Sequence, residues 1–281
     1  MDIAKIKELE IHANKVRQGI IEGTFNAKSG HPGGSLSATD LLVYLYFCEM
    51  NVDPENPKCA DRDRFVLSKG HAAPALYATL AERGYFGMDE MKLLRKPGKM
   101  LQGHPDMNKI PGVDMSTGSL GQGISAAVGI ALAGKMDKKN YRVFALLGDG
   151  EIEEGQVWEA AMFAGNQKLD NLIAFVDNNN LQIDGTLDEV NAPYPIKEKF
   201  ESFKFEVFEC NGHSFEELEE TINKAKEVKD KPVAIILNTV KGKGVSFMEN
   251  ECGWHGVAPN AEQYEAAMNE LKEKLNDLEG K

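Results

Sequence analysis

Five short β-rich runs, interleaved with helical stretches, constrain this chain more than any other feature of its sequence. The runs are Phe65-Val66-Leu67, Val143 to Leu147, Leu172 to Val176, Phe205 to Phe208 and Val233 to Leu237. Helical stretches lie near 72–82, 121–134, 153–168 and 214–229. Strands that alternate with helices join through crossovers, and the crossover helices cover the sheet. The pattern predicts a three-layer α/β/α fold with a mostly parallel central sheet. A length of 281 residues permits one large domain of this kind or two ordinary ones. No repeat, low-complexity linker or sharp compositional boundary divides the chain, so 1–281 reads as a single domain.

Ahead of the first strand, Ile3, Ile6, Leu9, Ala13, Val16 and Ile20 recur at spacings of three or four, as on one face of a long amphipathic helix. That helix is expected to stop at Ser29-Gly30-His31-Pro32-Gly33-Gly34, where Gly and Pro break the pattern. Residues 39–48 read as a buried helix, with a strand as the alternative for so short an apolar run. Ser214 with Glu217 forms a capping box by sequence, and Asn260 with Gln263 resembles one. The longest irregular segment is 185–204, with Pro193 and Pro195.

Charge excludes some partners. Lys and Arg number 32 against 44 Asp and Glu, a net charge of −12 with neutral histidines. No basic stripe is present to neutralise phosphates, which argues against nucleic acid or an anionic membrane as partner. The longest apolar run, Leu41 to Cys48, falls far short of the ~20 residues that span a bilayer. The first ten residues lack the apolar core of a signal peptide. Cys48, Cys59, Cys210 and Cys252 form no Cys-x-x-Cys pair, so a reduced, cytoplasmic protein is expected.

The chemistry concentrates where Phe144-Ala145-Leu146-Leu147-Gly148-Asp149-Gly150-Glu151 leaves a strand and enters a helix. Glycines flanking an acid let the backbone approach a ligand, and the helix start offers unpaired amide donors. Asn178-Asn179-Asn180 follows the next strand directly. Both segments end parallel strands, so Asp149 and Asn179 can converge at one rim of the sheet, where ligands bind in such folds. An acid, an amide oxygen, a backbone carbonyl and phosphate oxygens are hard ligands that suit Mg²⁺, with Ca²⁺ or Mn²⁺ as alternatives. A metal would also relieve a charge conflict, because Glu151, Glu153 and Glu154 crowd the same helix start.

Gly-Asp-Gly with a later Asn-Asn resembles the diphosphate-binding signature of thiamine-diphosphate enzymes. Five further motifs occur in the order that transketolases show: Ser29 to Gly34, Ser68-Lys69-Gly70-His71-Ala72, Gly103-His104-Pro105, Thr117-Gly118-Ser119-Leu120-Gly121-Gln122-Gly123 and Trp254-His255-Gly256. The segment Gly148 to Ala160 is also very similar to that family. The likeness runs from about residue 10 to 260 and covers the family's N-terminal, diphosphate-binding domain.

The resemblance implies transfer of a two-carbon ketol unit from a ketose phosphate to an aldose phosphate, with thiamine diphosphate and a divalent metal as cofactors. It implies that Asp149, Asn179 and the Leu181 carbonyl bind the metal, that Gly150 supplies an amide to the diphosphate, and that Gly148 and Glu151 border the cofactor. Gly118 and Leu120 match the cofactor's pyrimidine side, and His71 lies near the diphosphate. His31 and His255 would act on the donor's hydroxyl, with His104 against the carbonyl end of the substrate. Glu154 and Glu159 match acids near the subunit interface, where the family shares a proton network. Full transketolases continue into a pyrimidine-binding domain and a third domain, whereas this sequence ends at Lys281. An N-terminal subunit of a split transketolase is therefore implied, inactive alone and joined to a C-terminal subunit, most simply as α₂β₂. Pentose-phosphate chemistry is the family's ordinary setting. Ser119 and Lys69 depart from residues often seen in full-length members, which leaves room for a branched or sulfonated sugar.

His31, His71, His104 and His255 each adjoin Gly or Pro, which places them on irregular backbone instead of within helices. Ketol transfer moves protons on and off hydroxyls, and a neutral imidazole near pH 7 can carry them, typically worth ~10²–10⁴ in rate. No spacing among these histidines imitates a zinc motif. His12, beside the apolar stripe, and His213, ahead of the capping box, are assigned to structure. Lys241-Gly242-Lys243-Gly244 lacks the pattern of a phosphate loop and reads as a flexible segment closing over the cofactor. A dinucleotide-binding oxidoreductase is disfavoured, because Gly118 to Gly123 is Gly-x-x-Gly-x-Gly and follows no convincing strand. Closer alternatives share the cofactor: a deoxyxylulose-phosphate synthase, the decarboxylating subunit of a 2-oxoacid dehydrogenase, or a regulatory subunit without turnover.

Overall fold

The computed structural model describes residues 1–280. All five expected strands form: β1 (Arg64–Leu67), β2 (Val143–Gly148), β3 (Leu172–Asn178), β4 (Glu206–Asn211) and β5 (Val233–Asn238). They pair in parallel in the order β1-β2-β3-β5-β4. The helices in chain order are α1 (Ile3–Ala27), α2 (Pro32–Ser37), α3 (Thr39–Tyr44), α4 (Ala73–Arg83), α5 (Gln122–Met136) and α6 (Gly155–Asn166). They continue as α7 (Leu187–Val190), α8 (Ile196–Ser202), α9 (Phe215–Glu227) and α10 (Ala261–Glu279).

Side chains alternate across the sheet and so divide the core in two. Phe65, Phe144, Leu146, Ile173 and Phe175 pack with α1, α3, α4, α9 and α10. Val66, Ala145, Leu147, Ala174 and Val176 pack with α5, α6 and α8 on the other side. The faces follow from handedness. From β2 to β3 and from β3 to β4 the chain moves the same way along the sheet, and right-handed crossovers lay α6 and α8 on one face. From β4 to β5 it steps back, so α9 lies on the opposite face.

Local expectations fare unevenly. α1 ends as expected, with Lys28 in the left-handed region (φ 52°). Pro32-Gly33-Gly34, however, does not remain irregular: it opens α2, with Pro in the first turn where its missing N–H costs nothing. The apolar run 39–48 is helical, α3 passing into a π-helical turn at Leu45–Glu49. Asn260 and Gln263 form both halves of a capping box at α10. Ser214 supplies only one half at α9, because the Glu217 carboxylate accepts from the Asn211 amide at 2.8 Å instead of reaching back to Ser214. Among the described residues no helix is long and apolar enough to cross a membrane.

One glycine decides how α6 seats. A Cβ added at Gly165 would lie 1.9 Å from the Phe203 carbonyl oxygen, so this buried position admits no side chain without moving backbone. Gly165→Ala is expected to cost about 2–3 kcal/mol, the upper end for overpacking, since a carbonyl cannot rotate away as a side chain can. A urea titration reads this as a lower midpoint at unchanged slope. An unshifted midpoint would mean that the Phe203 turn yields freely.

Candidate active site

Four parallel strands deliver their ends to one rim. β1 runs into Ser68-Lys69-Gly70-His71, β2 into Asp149-Gly150, β3 through Asp177 to Asn179, and β5 into Thr239-Val240-Lys241. The register pairs Gly148 with Asp177 and Asn178 with Asn238, which levels these ends. They frame a cleft of about 150 Å³, closed by Gly34 of α2, Leu120, the 181–184 segment and His255. A concave site beyond the carboxyl ends of parallel strands is where such sheets bind ligands.

Asp177, fully buried, lies beneath the cleft. It accepts from Ser37 Oγ, Thr239 Oγ1 and the Lys69 ammonium. Burial pushes its carboxyl up, but Lys69 and the two hydroxyls outweigh that and hold it below the usual carboxylate range. Lys69, 1% exposed, also donates to the Gly34 carbonyl at 2.9 Å, tying α2 to β1 and β3.

Asp149 is also buried yet has no ion-pair partner among the described residues. Its Oδ1 accepts from Gly150 N–H at 2.9 Å and its Oδ2 from Asn180 N–H at 2.6 Å. Burial, and then the neighbouring Asp177, raise its carboxyl to about 6 despite those amides. A buried carboxylate without a counter-charge is costly, and a bound cation would remove the cost. Asn179 lies beside it, its Oδ1 accepting from Leu181 N–H at 3.2 Å. Asp149, Asn179 and Leu181 thus meet in one cleft. The Leu181 carbonyl, though, accepts from Lys241 Nζ at 2.8 Å, so a metal there would take it from an ammonium. Among the described residues no group of three or more His, Cys, Asp or Glu is placed to hold a metal. The donors that fit a hard divalent ion are one carboxylate, one amide oxygen and one carbonyl.

Three of the four histidines converge. Ring centroids lie 5.2 Å apart for His31 and His71, 5.6 Å for His31 and His255, and 5.1 Å for His71 and His255. His31 precedes α2, His71 lies within a single 3₁₀ turn rather than on irregular backbone, and His255 follows another such turn. Burial first, then surrounding cations, lower all three: His31 to about 4, His255 to about 3, His71 well below its ordinary value. All are neutral at physiological pH. The Nδ1 of His31 is buried without a partner. His255 Nδ1 faces Lys241 Nζ at 2.9 Å, and since an ammonium only donates, the ring proton of His255 sits on Nε2. His104 stands exposed at the edge of the group, against Gly118, with burial and the Arg95 guanidinium lowering it too.

The acids at the helix start sit differently from the sequence reading. Glu151 is buried and turned to Ser68 Oγ and to the amides of Gly121 and Gly148, the last two at 3.0 Å. From the cleft wall it braces three loops through these bonds. Glu153 accepts from Gln182 and Asn191, while Glu154 and Glu159 are exposed, Glu154 beside Gly121. Of the three acids at the helix start only Glu151 lines the cleft. Leu120 and Gly148 line the cleft, whereas Gly118 supports His104 behind it. The Gly150 amide faces Asp149.

Sequence reading missed the buried cations. Lys241 belongs to no flexible flap: it is 1% exposed, its side chain donating to the carbonyls of Leu181 and Gln182, and Gly242 N–H is bonded to Gly33 O at 3.0 Å. Burial lowers Lys241 to about 8, still a cation at neutral pH. The available signal was placement, since Lys69 and Lys241 lie two and three residues past the ends of β1 and β5 and are carried into the rim.

A family model described as the thiamine diphosphate binding domain of transketolase matches residues 10–276. A 6-deoxy-6-sulfo-D-fructose transketolase subunit from a Clostridium strain is 47% identical over 95% of this chain and 97% of its own length. One of the subunits of the apulose-4-phosphate transketolase from Phocaeicola vulgatus is 44% identical over 98% of each chain. The crystal structure of transketolase from Campylobacter jejuni superposes with a TM-score of 0.89 at 33% identity, over 97% of this chain but 43% of that one.

Proposed function

Because the chain belongs to the transketolase family, through that family's thiamine diphosphate binding domain, we propose that it is the diphosphate-holding subunit of a two-chain transketolase. It would transfer a two-carbon ketol unit from a ketose to an aldose phosphate, working in the cytoplasm with a C-terminal subunit that brings the pyrimidine-binding half. Relatives that match it along nearly their whole length are themselves named as subunits. The named sugars of those relatives end in a sulfonate or belong to a 4-phosphate. The donor proposed here is accordingly a ketose carrying a tetrahedral anionic group at its far end.

The convergence of three neutral imidazoles beside Asp149 and Asn179 carries this reading. Bound thiamine diphosphate would supply the nucleophilic carbon and electron sink for breaking the ketose carbon–carbon bond. Asp149, Asn179 and the Leu181 carbonyl would hold a divalent ion, Mg²⁺ by donor type, leaving the Lys241 ammonium for the diphosphate. His31, neutral and with a free ring nitrogen, would accept a hydroxyl proton from the donor and return it to the acceptor. His255, with its proton on Nε2, would donate to substrate oxygen, and His104 would meet the substrate further out. Glu154 is exposed, so any part it plays in proton sharing would come from a facing subunit.

Native mass spectrometry of the untagged chain from its own cells tests the proposal. The expected species contains a second chain, thiamine diphosphate and a divalent metal. A homodimer without cofactor would overturn it in favour of a regulatory subunit.

A further inference from the structure

Behind the strap that carries Lys241 into the cleft lies a buried polar cluster. Asp40 of α3, 5% exposed, accepts from Arg17 Nη2 of α1 at 2.6 Å and faces His213 Nδ1 at 2.7 Å. Arg17 directs its Nε to the carbonyl of Lys243 at 2.9 Å. His213, in the turn between β4 and α9, accepts the Val240 amide proton on Nε2 at 2.8 Å. The strap is therefore gripped on both sides of Lys241, one residue before it and two after. Nothing in the sequence announces this, since Arg17 and Lys243 are 226 residues apart.

The tautomer follows from the contacts. Nε2 accepts an amide proton, so it carries none, and Nδ1 bears the ring proton and donates to Asp40. Burial would raise the Asp40 carboxyl, but Arg17 and His213 bring it to about 2, so it remains an anion that fixes the ring. A carboxylate orienting an imidazole through Nδ1 sets which atom the other nitrogen can serve. Here it serves a backbone amide adjacent to Lys241. Burying an ion pair of this kind adds little stability over apolar packing, so its presence calls for another consequence.

We propose that His213 is a positioning residue for the thiamine diphosphate site: braced by Asp40 and Arg17, it holds the Val240 amide and so sets the place of the Lys241 ammonium. The proposal rests on the reading that Lys241 faces the diphosphate. It does not require His213 to touch cofactor or substrate.

A double-mutant cycle on the enzyme as it assembles with its partner tests it, with the Kd for thiamine diphosphate measured in excess Mg²⁺. His213→Asn keeps a donor toward Asp40 but does not reach the Val240 amide. It should raise the Kd about tenfold, the effect of one lost hydrogen bond. His213→Gln places an oxygen near the position of Nε2 and should restore the Kd to within about threefold of wild type, given that bond's size. In a Lys241→Met background His213→Asn should have no further effect, because coupled residues do not add. Equal effects of His213→Asn with and without Lys241, or failure of the glutamine to rescue, would overturn the positioning role. If Lys241→Met alone leaves the Kd unchanged, the assignment of Lys241 to the diphosphate is what fails. Urea midpoints of each variant, measured without cofactor, separate these outcomes from loss of the fold.

Discussion

Asp149→Ala is expected to abolish metal-dependent binding of thiamine diphosphate while leaving the ligand-free protein as stable as before, or more so. The two halves of that expectation share one cause. Asp149 is 3% exposed, and its carboxyl is raised to about 6 by burial and by Asp177. Removing it relieves a charge that the fold holds at a cost, set against two amides, of Gly150 and Asn180, left without their acceptor. The same removal deletes the one carboxylate of the mixed oxygen set around Asn179 and Leu181. Changes behind a metal ligand commonly cost 10–100-fold in affinity, so loss of the ligand itself should cost at least ~100-fold. Calorimetric titration with thiamine diphosphate and Mg²⁺, paired with urea unfolding of the ligand-free variant, reads both. Unchanged affinity would remove the metal assignment. Lost affinity with a collapsed urea midpoint would move Asp149 from ligand to scaffold.

Separated from its partner, the chain should show no ketol transfer at any cofactor concentration, and adding the partner should restore turnover. The cleft brings together Lys69, Lys241, Asp149 and Asn179 with the imidazoles of His71 and His255, and on the proposed function these would serve a diphosphate end and proton transfer. The Campylobacter jejuni enzyme that shares this fold is more than twice as long, and this chain aligns to 43% of it. The rate of each chain alone and of the mixture, with a ketose phosphate donor and an aldose phosphate acceptor, decides the matter. A rate from this chain alone equal to that of the mixture would end the two-chain proposal.

The fold was largely legible because it rests on short-range pattern. Apolar runs such as Val143 to Leu147 and Val233 to Leu237, set between helical stretches, read as strands covered on both faces, and each lies where expected. Errors fell where backbone geometry is set by packing. Pro32-Gly33-Gly34 looks like a break, yet a helix forms there, because Gly33 lies against the Trp254 backbone (an added Cβ would be 2.9 Å from its carbonyl oxygen) and Lys69 holds Gly34. The Ser214 box lost its second half because Glu217 found the Asn211 amide instead.

Chain order and hydrophobic period by themselves determined the α/β class, and with it the meeting of Asp149 and Asn179 at one rim. Parallel strands must end together, so any residue just past a strand is carried there. Tertiary structure alone decided which charges at that rim are neutralised. Lys69 pairs with Asp177 across 108 positions, Glu151 is consumed by Ser68 and two amides, and Asp149 is left unpaired. His213 becomes a brace for the strap instead of a bystander beside a helix cap. Burial and distance set those partnerships, and Coulomb energy in a low-dielectric interior depends on ångströms that no local pattern of residues records.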